Sequence, residues 1–528
     1  MTTGSSLAPQ RPEATPAVRP VAVIDIGTTA IRMAIAEIDA KGEVRQIDAL
    51  SQAVNLGKDS FTRGYIEKTT VEECVRVLKS YRRLLEEYQI VSPEQIRVVA
   101  TSAVREAANR LHFVDRIFIA TGLVVETLDE AEANRITYLG AQPYLRAQPE
   151  TLGPRTIVVE VGGGTTELLL VQHENVSYSH TFRLGSLRMQ QQFHAFRGSA
   201  DKLRSIMENQ IDQIVDQVLR SIPPESGTQM MALGGDVRFA ASQLLEGWVP
   251  DHMGQISVPA LERFANRMLQ LSVDEIAHKF HIPFPDAETL GPALLTYVKL
   301  AKAYKLDHLL VTNINLRDGL LKEMAIRDAW TDEFRDQILR SAADLGRKFH
   351  FDERHARHVS DLCRTLFHAV QAEHQLGPRQ ELILQTAALL HEIGLYIGLS
   401  SHHKHSMYLI LHSELFGLGH RDVRLVALVA RYHRRASPKP THPLYNNLDR
   451  EGRVLVAKLA SLLRVADALD HSHSGRIQEI RCHRESNQLV ITVPRIQDLA
   501  LEQLALKQKG PLFEETFGLK VLLRKGRG

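Results

Sequence analysis

The sequence is poor in the features that mark secreted, membrane-spanning or nucleic-acid-binding proteins. It has only three cysteines, Cys74, Cys363 and Cys482, which lie far apart and form no CxxC pair. Such usage argues against a disulfide framework or a cysteine-type metal site and indicates a reducing compartment. The net charge is +2 over 528 residues, so no overall field would draw the chain to nucleic acid. No apolar run approaches the length of a membrane span.

The N-terminal segment also lacks an apolar stretch. Residues 1–19 are rich in Pro, Thr, Ser and Ala, which predicts a disordered tail rather than a signal peptide. We therefore expect a cytoplasmic protein without membrane or nucleic-acid partners. The whole chain is too long for one core, and its length indicates about three or four domains.

Two glycine-rich turns repeat one pattern. Residues 21–25 form an apolar run that ends in Asp25, and a turn at residues 27–29 (GTT) leads into a second apolar run. Residues 156–161 carry Glu160 near the same place, and the turn at residues 162–166 (GGGTT) leads into another run. The repetition of strand, acid, turn and strand predicts two related halves that face each other.

These turns have the chemistry of a phosphate site. Glycine lets an anion approach backbone N–H groups closely, and the threonine hydroxyls add further donors. The preceding acids would repel a bare phosphate, but they would hold Mg²⁺ beside it. One such turn alone is more simply a tight hairpin, whereas two matching turns with matching acids favour the phosphate interpretation.

The composition changes along the rest of the chain. After about residue 328 the pattern is helical, and 16 of the 24 histidines lie from His350 onward. A strand-like pattern returns after residue 477, most clearly at residues 488–493. With the repeated halves, these changes predict domains over residues 20–138, 139–327, 328–475 and 476–528.

Several segments resemble those of the Ppx/GppA family of exopolyphosphatases and guanosine pentaphosphate phosphohydrolases. They are Glu132 with Arg135 on a predicted helix, and residues 25–29 (DIGTT), 100–105 (ATSAVR), 160–167 (EVGGGTTE), 184–188 (LGSLR) and 316–320 (LRDGL). They follow the family's order over nearly the whole chain. The resemblance implies an α/β fold of duplicated, split actin-like domains, followed by an all-helical HD-like domain and a small α+β C-terminal module.

The resemblance also implies a homodimeric hydrolase that removes terminal orthophosphate from polyphosphate or guanosine pentaphosphate with Mg²⁺ or Mn²⁺. Glu132 would activate the attacking water, and Arg105 would neutralise phosphoryl oxygens beside the catalytic Glu167. The metal would bind Asp25, Glu160 and Glu167. The implied phosphate-binding residues are Gly27, Thr28, Thr29, Gly162, Gly163, Gly164, Thr165 and Arg317.

The chain departs from the family pattern at several of these positions. Residues 28–30 (TTA) replace the usual Ser-Asn-Ser of the first turn, and Glu160 replaces an aspartate in the second. The catalytic helix usually follows Ser-Gly and carries paired glutamates, but here Ala133 follows Glu132. A third turn, which usually reads Gly-Gly-Thr, ends in Asp236. These changes bear on turnover, metal geometry and substrate choice.

The helical region contains residues spaced like the ligands of an HD-type metal phosphohydrolase, namely His355, His391, Glu392 and Asp467. HD enzymes need an aspartate where this chain has Glu392. Further candidate ligands are His402, His403, His405 and His433. Related phosphatases carry this domain without independent catalysis, so we expect a structural or substrate-path role.

A basic cluster stands at residues 431–439, with Arg431, His433, Arg434 and Arg435 as its core. Such a cluster can raise the local concentration of a long anion, which would guide polyphosphate toward the first domain. A solvated helix end and loop is the alternative interpretation.

Other functions stay open on the sequence alone. The altered turns also suit a catalytically weak regulatory protein that binds polyphosphate or guanosine tetra- and pentaphosphate. The HD-like residues suit a metal-dependent nucleotide phosphohydrolase with the actin-like half as its sensor. An actin-like or sugar-kinase ATPase is a weaker alternative, because no sugar-site signature stands out.

Overall fold

The computed structural model describes residues 18–147, 153–194, 200–250, 252–326 and 331–526. Residues 1–17 of the predicted tail and the predicted boundary after residue 327 lie outside these ranges. Within them, two sheets with their helices, a helical region and a small C-terminal sheet follow one another along the chain.

The first half is built on a five-stranded sheet. Its strands are β1 (Arg19–Ile26), β2 (Ala30–Ile38), β3 (Val44–Ala53), β4 (Ile96–Ala100) and β5 (Val125–Thr127). Their order is β3-β2-β1-β4-β5, with β1 antiparallel to β2 and parallel to β4. The central strands read as continuous apolar runs because both faces of the sheet are covered.

The second half repeats this arrangement. Its strands are β6 (Arg155–Val161), β7 (Thr166–Gln172), β8 (Asn175–Phe182), β9 (Thr228–Leu233), β10 (Gly254–Ser257) and β11 (His308–Val311). The order β8-β7-β6-β9-β11 matches β3-β2-β1-β4-β5 in position and direction, and β10 adds an antiparallel edge. The prediction of two related halves is therefore confirmed.

Helices cover both sheets. Those of the two halves are α1 (Leu56–Arg63), α2 (Lys68–Glu87), α3 (Ser102–Glu106), α4 (Arg110–Thr121), α5 (Glu130–Ala147), α6 (Ser186–His194), α7 (Ala200–Ser221), α8 (Gly235–Leu244), α9 (Val258–Gln270), α10 (Val273–Phe280), α11 (Phe284–Ala303) and α12 (Leu316–Ile326). Apolar side chains of α2 and α4 pack on one face of the first sheet, and those of α12 pack on the other. Thus the last helix of the second half returns to the first sheet.

Helix α5 connects the halves and runs through the predicted division at residue 138. Its buried Arg135 forms an ion pair with Glu323 of α12, and Glu323 also accepts a 2.6 Å bond from Arg97 of β4. The Arg135 guanidinium lies 5.5 Å from the ring centroid of Phe334 in the helical region. This helix therefore contacts three parts of the fold.

The helical region follows. It comprises α13 (Asp332–Lys348), α14 (Glu353–Ala369), α15 (Gln371–His374), α16 (Pro378–Leu390), α17 (His402–Leu411), α18 (His420–Arg431), α19 (Pro443–Asn446) and α20 (Arg450–Leu469). It shares one apolar cluster with the outer face of the second sheet, and Gln337 donates a 2.7 Å bond to the carbonyl oxygen of Val176 in β8. Among the described helices, none combines the length and apolar character that crossing a bilayer requires.

The chain ends in a three-stranded sheet with two helices. These elements are β12 (Arg481–Glu485), β13 (Gln488–Val493), α21 (Ala500–Lys509), α22 (Pro511–Phe517) and β14 (Lys520–Lys525). The strand predicted at residues 488–493 is confirmed. Leu489, Phe513 and Leu523 belong to the same apolar cluster as the helical region, so these elements share its core.

Candidate functional site

The two glycine-rich turns lie against each other. Each is closed by one backbone bond, from Gly27 N to Ala30 O at 3.0 Å and from Gly162 N to Thr165 O at 2.8 Å. A Cβ atom added at Gly163 would lie 2.8 Å from Cγ2 of Thr28. Only glycine at this position allows the two turns to approach so closely, so the pairing predicted from the sequence is a direct contact.

A cavity of 370 Å³ opens beside the paired turns. Its lining includes most of the predicted phosphate-binding and metal-binding residues, namely Asp25, Gly27, Thr28, Thr29, Glu160, Gly162, Gly163, Thr165, Glu167 and Arg317. Gly164 is absent from this lining, and a Cβ atom added there would lie 2.4 Å from Cζ of Phe61 and 2.5 Å from Oγ of Ser102. The fold thus gathers residues from both halves and from the start of α12 around one space.

Three carboxylates at the ends of β1, β6 and β7 face this cavity. Burial raises the pKa of Asp25, with the guanidinium of Arg317 3.8 Å away opposing the shift. Burial also raises the pKa of Glu160 and of Glu167, and in Glu167 the charge of Glu160 adds to it. Within the described ranges, Oδ1 of Asp25 and Oε2 of Glu160 are buried without a hydrogen-bond partner. Crowded, unpartnered carboxylate oxygens fit a hard divalent cation.

Three arginines balance these acids. Arg317 is accompanied at the cavity by Arg32 of β2 and Arg238 of α8. Burial lowers the pKa of Arg317 and of Arg238, but an arginine side chain remains charged in a protein. The guanidinium of Arg238 is held by a 3.0 Å bond to the carbonyl oxygen of Ile314. The cavity therefore presents fixed positive charge to an anion.

The third turn completes the wall. Gly234 has φ of 117°, a conformation suited to glycine, and it precedes α8, whose N-terminus faces the cavity. Asp236 in the first turn of α8 accepts a 2.9 Å bond from Thr289. Burial raises the pKa of Asp236 to about 7. The aspartate thus places a titratable acid where the helix N-terminus would favour phosphate.

Arg105 and Glu132 do not line the cavity. Arg105 donates a 2.9 Å bond to the carbonyl oxygen of Leu128 and lies 3.8 Å from Glu130. Burial raises the pKa of Glu167 and the charge of Arg105 partly opposes this rise, which places Arg105 near the site. The neighbouring acid Glu106 forms its ion pairs with Arg183 and Arg188.

Glu132 caps the start of α5. Its Oε2 accepts a 3.3 Å bond from the backbone N–H of Asp129, and its own N–H donates to Oδ1 of Asp129 at 2.9 Å. This reciprocal pair is a capping box. Burial raises the pKa of Glu132, followed by the charge of Asp129. The next residue, Ala133, does line the cavity, so position 133 rather than position 132 faces the site.

The HD-like residues come together in the helical region. We name this group the histidine cluster, and its members are His355, His391, Glu392, His402, His433 and Asp467. His473, which the sequence analysis did not single out, stacks on His355 and forms a further possible ligand group with His355 and Glu392. The other two candidates, His403 and His405, are not among the described ligand groups. His433 is 1% exposed and faces His402, whereas Arg434 and Arg435 of the predicted polyphosphate path are exposed. Arg431 is half-buried over the ring of Tyr432.

Sequence reasoning missed several residues of the cavity, among them the polar side chains of Arg32, Arg238, Asp286 and Asn315. Arg32 had a usable signal, because it is a charged residue among apolar neighbours at the start of a strand, directly after the turn. Arg238 lies two residues after the third turn, on the helix that starts there, and Asp286 lies at the start of α11, far from all three turns in sequence. Only the folded chain brings them to the site.

Comparison with known proteins points to one family in both parts of the chain. Residues 34–328 match the Ppx/GppA phosphatase family, and residues 338–510 match Ppx/GppA phosphatase, domain III. A guanosine-5'-triphosphate,3'-diphosphate pyrophosphatase of Photobacterium profundum is 23% identical over 505 residues, which are 92% of this chain and 95% of that protein.

Solved structures resemble the two-sheet part. An exopolyphosphatase from Cytophaga hutchinsonii ATCC 33406 aligns with a TM-score of 0.53 and 21% identity, over 58% of this chain and 98% of its own. An exopolyphosphatase-like protein aligns with a TM-score of 0.52 and 20% identity, over 59% and 98%. This likeness concerns the fold and confirms the predicted actin-like halves. The HD-like domain and the separate C-terminal module stay predictions.

Proposed function

Since the chain belongs to the Ppx/GppA phosphatase family and is a phosphoanhydride hydrolase, we propose that it releases terminal orthophosphate from inorganic polyphosphate, guanosine pentaphosphate or both. The observation that carries this proposal is the contact between two glycine turns, each preceded by an acid, beside one cavity. Both substrates present the same terminal phosphoryl group, and the names of the relatives favour these two.

The terminal phosphoryl group would rest on the backbone N–H groups and hydroxyls of the two turns. Arg317 and Arg238 also line the cavity, and their charges would offset those of the phosphoryl oxygens. Most of the catalysis in this reaction class comes from positioning and charge stabilisation. The close approach of Thr28 and Gly163 between the turns supports such positioning.

We propose Mg²⁺, or Mn²⁺, as the cofactor, held by Asp25, Glu160 and Glu167. The unpartnered oxygens of Asp25 and Glu160 within the described residues support this assignment. When bound, the ion supplies positive charge to the phosphoryl oxygens and the leaving group. Cytoplasmic location and a homodimer stay predictions.

Glu132 stays the predicted base, with Arg105 beside the site. The capping box holds the Glu132 side chain at the start of α5, next to Ala133, which lines the cavity. Burial raises the pKa of Glu132, which favours the uptake of a proton that a general base requires. Glu167 lines the cavity itself and is the alternative acceptor of the proton. Separate variants of the two glutamates distinguish these roles.

The test is phosphate release from polyphosphate and from guanosine pentaphosphate, each with Mg²⁺ and with Mn²⁺. We expect turnover on one or both substrates, with a loss of about 10²-fold or more in Glu160→Gln and Asp25→Asn. Glu72→Gln, which changes an exposed acid paired with Arg116, is the matched control and should retain turnover. Absence of phosphate release from both substrates under all conditions would overturn the proposal.

A further inference from the structure

The histidine cluster lies in the helical region and shares no residue with the lining of the cavity between the turns. Its members come from α14, the end of α16, α17, the end of α18 and α20. His355, His391, His433 and Asp467 are at most 3% exposed. Five separate elements therefore bring metal-ligand side chains together, and four of these side chains are buried.

The hydrogen bonds of the imidazoles fix their tautomers. Nδ1 of His391 and Nδ1 of His433 lie 2.7 and 2.6 Å from the backbone carbonyl oxygens three residues earlier. A carbonyl oxygen only accepts, so each Nδ1 carries the proton. Nδ1 of His355 lies 2.8 Å from a carboxylate oxygen of Asp470, which has the same effect. In the neutral rings, Nε2 therefore carries a free lone pair, and histidines that bind metal ions through Nε2 have this same tautomer.

These lone pairs converge on carboxylate oxygens. Nε2 of His355 and Nε2 of His391 each lie 4.0 Å from Oδ1 of Asp467. Oε2 of Glu392 lies 3.9 Å from Nε2 of His355. In the described part of the chain, these two nitrogens and the Glu392 oxygen have no hydrogen-bond partner. Two ligands at about 2.1 Å from one ion can lie up to about 4.2 Å apart, so the spacing suits a shared cation.

A second group adjoins the first. Glu392, His402 and His433 place one ligand atom each within 4.8 Å of one another, and the two Nε2 atoms are 3.2 Å apart. Nδ1 of His402 also faces a carbonyl oxygen, at 3.3 Å. Two bare lone pairs at this distance repel unless a cation or a proton lies between them.

We propose that the histidine cluster binds a transition-metal dication, with His355, His391 and Asp467 as the first ligands and the Glu392 group as an adjoining position. Imidazole nitrogens mixed with carboxylates suit Zn²⁺, Mn²⁺ or Fe²⁺ better than Mg²⁺ or Ca²⁺, which prefer oxygen ligands alone. Nζ of Lys509 pairs with Oδ2 of Asp467 and leaves Oδ1 for the ion. This centre is separate from the magnesium site proposed between the turns.

The experiment uses the untagged full-length protein, because a histidine tag would bind the same ions. The protein is stripped with chelator, incubated with Co²⁺, Zn²⁺ or Mn²⁺, passed through gel filtration and analysed for metal. We expect at least one equivalent per chain, visible d–d absorption from Co²⁺ with nitrogen ligands, and a rise in Tm on loading.

Three variants locate the ion. His391→Gln and Asp467→Asn should lose stoichiometric metal and the Co²⁺ absorption. His374→Gln is the matched control, because His374 is also buried but both of its ring nitrogens are hydrogen-bonded within the chain. This variant should bind metal like the wild type.

If the variants fail to fold, the measurements on the wild-type protein still test the proposal. Substoichiometric metal in the wild type with no d–d absorption would overturn it, and so would equal metal in wild type and both ligand variants. Phosphate release with Mg²⁺ is measured in parallel. Failure of the metal centre leaves that turnover intact, whereas failure of the proposed phosphatase function leaves metal binding intact.

Discussion

The carboxylate of Asp129 accepts a 2.8 Å hydrogen bond from the backbone N–H of His420, although 291 residues separate the two. The other oxygen of Asp129 accepts from the N–H of Glu132 at the start of α5. Asp129 therefore joins the first turn of the helical region's α18 to the helix that carries the predicted base. A displacement of α18 would therefore shift Asp129, which hydrogen-bonds to Glu132.

Gly419→Ala should uncouple this contact. A Cβ atom at Gly419 would lie 2.2 Å from Oδ2 of Asp129, so the carboxylate has to move away from the start of α5. Loss of this cap should cost about 1 kcal/mol of stability and lower phosphate release severalfold. Urea unfolding and turnover on polyphosphate check both effects. Gly398→Ala, where the added atom meets nothing within 4 Å, is the control, and equal loss in both variants would contradict the prediction.

Glu132→Gln separates capping from catalysis. Glutamine retains the capping box, because its side-chain oxygen still accepts from the N–H of Asp129. If Glu132 is the base, turnover should fall by about 10²-fold or more with little change in stability. Unchanged turnover would assign Glu132 to capping alone and leave Glu167 as the acceptor.

Ala133→Glu should increase turnover. Ala133 lines the cavity and follows Glu132, where the family usually has the second of two glutamates. A carboxylate at this position would reach the space in which water approaches the phosphoryl group, and we expect kcat to rise by about 10-fold. The comparison with Ala133→Gln, which has the same size without the charge, isolates the proton transfer. A gain in the glutamine variant equal to that in the glutamate variant would contradict this explanation.

Asp236 should make phosphate binding pH-dependent. Burial raises its pKa to about 7, so the side chain is mostly neutral at pH 6 and mostly charged at pH 8. The charged form repels an anion at the N-terminus of α8, and Asp236→Asn removes that repulsion. We expect the variant to bind tripolyphosphate roughly tenfold more tightly than wild type at pH 8 and about equally at pH 6. Calorimetry with EDTA present measures this difference, since the titration of the ligand is common to both proteins.

Glu323→Gln should destabilise the first half. Its carboxylate is 6% exposed and pairs with both Arg97 and Arg135, so its removal leaves buried positive charge. The expected loss in free energy of unfolding is about 3 kcal/mol. Glu126→Gln removes a 47% exposed partner of the same Arg97 and should cost less than about 1 kcal/mol. Urea unfolding compares the two, and equal losses would refute the argument from burial.

Much of the fold was predictable because its signals are local. The apolar runs before Asp25 and Glu160 follow from strand periodicity, and the glycine turns follow from backbone conformation. The helix Lys68–Glu87 is likewise marked by a local pattern, because Cys74, Leu78, Tyr81 and Leu85 recur at helical spacing and are all buried. The sequence did not predict that charged residues such as Arg238 and Asp286 line the cavity. Nothing within their own helices distinguishes a residue that faces a cavity from one that faces solvent.

The sequence by itself determined the duplicated pattern of turns and acids, and with it the family and the class of reaction. Only the tertiary structure decided that Thr28 touches Gly163, that Ala133 rather than Glu132 lines the cavity, and that the Nε2 atoms of the histidine cluster converge. Turns and strands are specified by neighbouring residues. The direction in which a helix points each side chain depends on how that helix packs on the rest of the protein, and this packing is distributed over the whole chain.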